Sequence, residues 1–119
     1  MYNQPMLLVT DSISNKQLAE LASKMFGHLV KAVVDIETKE VALDAELHAD
    51  LEAYLLDHGS KQHALWGVNL HPNNYQTDNF IEYDSMINIR PNQNNLSRSV
   101  LNQSIRDQIR DIIISKVTI

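Results

Sequence analysis

The amino-acid sequence predicts an α+β fold: a two-layer sandwich with a mainly antiparallel sheet and three helices on one face. Helical apolar spacing recurs in three segments, strand-like apolar runs lie between them, and one short polar connection has the length of a hairpin loop. Their order, β-α-β-β-α-β-β-α, most simply packs the helices on one side of the sheet.

The first strand is expected over 6–10, a short apolar run ended by Asp11 and Ser12. Ser14 and Gln17 have capping-box spacing. Leu18, Leu21, Ala22 and Met25 follow on one helical face, with Gly27 as the stop. Segments 29–36 and 41–45 read as two strands around Glu37, Thr38, Lys39 and Glu40. A turn there sets Ile36 opposite Val41 and Val34 opposite Leu43, with Val30, Ala32, Val34 and Ile36 on the buried side.

A second helix is expected over 46–58, capped by Asp44 and carrying Leu47, Leu51, Tyr54 and Leu55 as its stripe. Segment 64–70 reads as a strand. Segment 80–90 reads as a longer one, with Ile81, Tyr83, Ile87 and Ile89 alternating with Glu82, Asp84, Asn88 and Arg90 until Pro91. If His71 faces Phe80 across that hairpin, Asn69 faces Glu82 and Gly67 faces Asp84. Residues 92–102, rich in Asn, Ser and Gln, form a long loop of the kind that is functional or mobile. A last helix, 103–116, presents Ile105, Ile109, Ile112 and Ile113.

A chain of 119 residues makes one domain, 1–119, burying roughly 65% of its unfolded surface. The composition, 44% apolar and 21% charged, is that of a globular protein. Absence of cysteine excludes disulfides and thiolate metal sites and favours a reducing compartment, so a cytoplasmic location is expected. No leader or membrane insertion is expected, because no apolar run approaches the ~20 residues needed to span a bilayer. A net charge of -5, with Arg98, Arg106 and Arg110 interleaved with Asp107 and Asp111, argues against nucleic acid.

Several strings resemble a bacterial family of small proteins known only as a domain of unknown function. They are Val30 to Asp35, Glu46 to Asp50, Gly59 to Gln62, Leu65-Trp66-Gly67 with Asn69, and Ile87 to Pro91, together with Asp84, Ser85 and Asn95. The resemblance implies a compact single domain and brings no activity, cofactor or catalytic residue.

The chemistry-bearing patterns are sparse. Five histidines are present, but no HExxH signature, no nucleophile elbow and no Gly-rich phosphate loop. No metal and no cofactor are expected. The first expectation is a small non-catalytic binding or regulatory protein with a polar-ligand site formed by Asn69, Asp84, Asn88 and Arg90. The alternative is a small hydrolase- or nuclease-type enzyme using His48, Glu46 and Arg90, with His48 as a base in a helix's first turn and Arg90 as an anion fork. Arg90 could instead anchor the sheet through Asp35, Asp44 or Glu46. A homodimer is expected because Leu29, Val33, Leu65 and Met86 would lie on the sheet face away from the helices. A small polar ligand or a protein partner remains open.

Overall fold

The computed structural model describes residues 7–9 and 11–119, so positions 6 and 10 of the first predicted strand lie outside the described residues. In chain order the elements are β1 (Leu7–Val9), β2 (Ile13–Ser14), α1 (Asn15–Met25), β3 (Val30–Asp35), β4 (Val41–Leu43), α2 (His48–Asp57), β5 (Leu65–Leu70), β6 (Ile81–Glu82), α3 (Gln103–Lys116) and β7 (Val117–Thr118). This is an α+β fold. Five strands form an antiparallel sheet in the order β1-β4-β3-β5-β6, and β2 pairs with β7 in a short parallel ladder. Among the described residues no helix is long and apolar enough to cross a membrane.

α1 starts as its sequence predicts. Ser14 Oγ accepts from the Gln17 N–H at 3.1 Å, while Gln17 Oε1 accepts from the Ser14 N–H at 3.0 Å. Gly27, at φ +87°, follows its end. The first hairpin is longer than expected: Val34, not Ile36, faces Val41, and Ala32 faces Leu43. The Asp35 carboxylate causes the difference by accepting the N–H groups of Glu37 and Thr38, while Lys39 takes a left-handed conformation to close the wider turn. A two-residue shift preserves which side chains face which way.

The layering differs from the one-sided arrangement. Val30, Ala32, Val34, Val41, Leu43, Trp66, Val68 and Leu70 cluster with Leu18 and Ala22 of α1 and with Ile109, Ile112 and Ile113 of α3. Val33, Ala42 and Leu65 cluster instead with Ala45, Leu51 and Leu55, so α2 covers the opposite face. The central strands carry the cause. Ala32-Val33-Val34 and Val41-Ala42-Leu43 are apolar on both sides, and both sides need cover. Of the four residues on which a homodimer was expected, Val33 and Leu65 are fully buried under the chain's own helix, Leu29 is half-buried and Met86 is exposed.

The predicted strand over 80–90 also breaks, leaving β6 with two residues and a 3-10 turn at Met86–Asn88. Asn69 faces Glu82 and the His71 N–H reaches the Phe80 carbonyl, as expected, but Gly67 does not face Asp84. Ser85 crosses over Gly67 so closely that a Cβ there would lie 2.6 Å from the Ser85 Cβ. Ser85 Oγ then accepts from the Ile87 N–H and starts the turn. α2 begins at His48, with Leu47 rather than Asp44 at its cap. Asp44 instead turns the chain out of β4 at φ +75°.

Candidate functional site

Arg90 and Asn88 sit beside β5 and complete it. The Asn88 side chain accepts from the Gly67 N–H and donates to the Gly67 carbonyl, both at 2.9 Å, which are the two bonds a neighbouring strand would make. The Arg90 guanidinium donates from Nε to the Ile87 carbonyl, from Nη1 to Gln62 O and Gln93 Oε1, and from Nη2 to Leu65 O and Glu52 Oε2. Five contacts match its five N–H donors. Its carboxylate partner is Glu52, at 3.4 Å, rather than Asp35, Asp44 or Glu46. Burial pushes the Glu52 carboxyl up, against the pull of Arg90. Arg90 and Asn88 are buried and engaged within the chain.

The Asn-rich loop is built around a third such side chain. The Asn95 amide nitrogen lies within 3.0 Å of the carbonyls of Asn88, Ser97 and Ser99, and its oxygen accepts from the Leu101 N–H. Arg90 and Asn95 exchange main-chain bonds, with Asn94 in a left-handed conformation between them.

His48 opens α2 and is nearly buried, with Nε2 2.8 Å from the Val68 carbonyl. A carbonyl can only accept, so Nε2 carries the proton and the lone pair falls on Nδ1. Burial lowers the His48 pKa; the Val68 bond and Asp84 oppose this, while Lys31 and Arg98 reinforce it. Glu46 precedes the helix at an exposed position, while the His48 ring bonds to Val68 O and the Arg90 guanidinium to Glu52 and to other carbonyls, so His48 and Arg90 bond to different partners.

Asn69 and Asp84 belong to a different environment. Asn69 Nδ2 donates to Glu82 Oε1 at 3.0 Å and lies 3.4 Å from the Asp84 carbonyl. These two acceptors fix the amide's orientation, and the buried Asn69 Oδ1 is left without a partner among the described residues. His71 Nε2 shares Glu82 Oε1 at 3.0 Å, and Arg98 Nε donates to Asp84 Oδ1 at 2.6 Å. The His71 bond, then the Asn69 bond, hold the Glu82 carboxyl below its ordinary range despite partial burial. Beside this cluster lies an open polar groove of about 710 Å³ between residues 71–84 and 97–99, with Asp78, Glu82, Asp84, Arg98 and Arg106 among its walls. Among the described residues no three His, Asp or Glu side chains gather as a metal site.

Residues 7–116 match the family described as "Protein of unknown function (DUF5674)". The chain belongs to that family. No curated protein and no solved structure matches it. For this DUF5674 protein the sequence pointed to Asn69 and Asp84 and to Glu82 opposite Asn69, but missed His71 and Arg98 as their neighbours. Arg98 lies 14 residues from Asp84 across an irregular loop, and no periodicity relates the two.

Proposed function

We propose that the chain is a small, cytoplasmic, non-catalytic binding protein whose polar groove holds a hydrogen-bond-donating cation of the primary-amine class. The observation that carries this reading is Glu82, a carboxylate in the groove wall whose bonded neighbour Asn69 keeps a buried oxygen unpaired. An orphaned buried acceptor costs about 1–3 kcal/mol, and a ligand N–H would satisfy it. The groove's charges favour the same ligand. Arg98 is paired with Asp84, and Arg106 is turned to Val100 O and Ser99 Oγ, whereas Asp78 and Glu82 add negative field. A hydrolase- or nuclease-type site has less support, because Arg90 has no N–H left for a substrate.

Calorimetric titration with 1,4-diaminobutane tests the reading. Saturable binding is expected, weakened about tenfold or more, ~1.4 kcal/mol, by Glu82→Gln and by Asn69→Leu. No heat up to about 10 mM ligand, or equal affinity in all three proteins, would refute it.

A further inference from the structure

A second cleft adjoins the polar groove and shares Asp78, Ile81 and Tyr83 with it. It holds about 300 Å³ and is lined by Tyr75, Phe80 and Tyr83 and by Arg110 and Ile114 from α3, with Asp78 on the wall shared with the groove. That is the lower end of the size range for small-molecule sites, which are mostly apolar with a few placed polar groups.

Its walls are held in place independently of any ligand. The Tyr75 hydroxyl donates to the Val117 carbonyl at 3.1 Å and the Tyr83 hydroxyl to the Arg106 carbonyl at 3.3 Å. The Tyr75 and Phe80 rings meet edge to face with centroids 5.2 Å apart. Gln76, left-handed at φ +67°, turns the chain between them. Walls fixed in advance lower the ordering cost of binding.

The four arginines separate by what occupies them. Arg90 is saturated, Arg98 is paired with Asp84, and Arg106 is bonded to Val100 O and Ser99 Oγ with its guanidinium 4.2 Å above the Tyr83 ring. Among the described residues Arg110 has an ion pair only with its sequence neighbour Asp111, at 3.9 Å and in solvent. Such a contact is worth little and leaves the planar fork usable. Ile114 is one turn further along the same helix face and is 58% exposed, so apolar surface adjoins that fork.

We propose that this cleft binds a free amino acid with an apolar or aromatic side chain. Its carboxylate lies on the Arg110 fork, its ammonium faces Asp78, and its side chain lies among Tyr75, Phe80 and Ile114. One base, one acid and an apolar floor complement a zwitterion with an apolar body, and neither charge alone uses both walls.

Titration with L-phenylalanine, 3-phenylpropionate and 2-phenylethylamine, followed by calorimetry, tests this. Phenylalanine is expected to bind at least about tenfold more tightly than either analogue. Arg110→Gln, an exposed change, is expected to abolish that advantage with the melting temperature unchanged. Glu82→Gln is expected to leave phenylalanine affinity intact, which separates this cleft from the polar groove. Absent phenylalanine binding, equal affinity for the three compounds, or insensitivity to Arg110→Gln would each overturn the proposal.

Discussion

Two asparagines lie along the outer side of β5, and they are used in opposite ways. Asn88 has its oxygen on the Gly67 N–H and its nitrogen on the Gly67 and Arg98 carbonyls. Asn69, two residues along the strand from Gly67, gives its nitrogen to Glu82 and keeps a buried oxygen unpaired. Both are buried, so exposure does not distinguish them. Satisfaction does. A polar side chain with every atom matched inside the chain is part of the framework, while one left incomplete next to an open groove has capacity for something from outside.

Removing Arg90 should break the framework end most severely. Arg90→Gln leaves Glu52 and several carbonyls without their donor, and a loss of about 3–5 kcal/mol is expected for a broken buried ion pair. Thermal unfolding should show a melting point lower by at least about 10 °C. Asn88→Ala orphans the main chain of Gly67 and should cost about 1–3 kcal/mol, read by urea unfolding. Gly67→Ala attacks the same contact from the other side by pushing Ser85 away, and about 1–3 kcal/mol is expected from overpacking. A loss under about half a kcal/mol in both would mean that Asn88 does not substitute for a strand.

At His48 the effect should be one of pH. Burial depresses the pKa of His48, so the folded chain resists its protonation and the unfolded chain does not. The resulting stability is complete above the ordinary histidine value, about 6.5, and is lost as pH falls from there through the lower folded value. Melting temperature should therefore fall between about pH 7 and 5 in the wild type and flatten in His48→Gln over the same window. Asn69→Ala should change stability least, by less than about 1 kcal/mol, since it removes an orphaned oxygen along with the bond to Glu82. A loss matching that of Asn88→Ala would erase the distinction between the two.

The legible parts of the fold were those governed by local rules. The capping box at Ser14 and Gln17, the stripe of α3 and the pairing of Asn69 with Glu82 each follow from residues close in sequence or from simple period-two geometry. The side taken by α2 was misread because alternation was sought in strands that have none. The break after Glu82 was hidden for another reason. Residues 80–90 alternate as a strand does, yet Ser85 and Asn88 form a turn whose stabilising partner, Gly67, is 21 residues from Asn88. The groove was half visible, through Asp84 and the Glu82 that faces Asn69, because its remaining members meet only after the 97–99 segment folds back.

The outward main-chain groups of β5 have one further consequence. Beyond β6 a sheet edge would normally offer unpaired N–H and C=O groups as a template for another chain. Here Glu82 lies opposite Asn69, Asn88 occupies both groups of Gly67, and Arg90 occupies the carbonyl of Leu65. Two side chains thus close a border that a longer β6 would only have moved outward by one strand. That border is protected against edge-to-edge association by chemistry that cannot itself be extended, since neither an amide nor a guanidinium presents a new row of backbone to the next molecule.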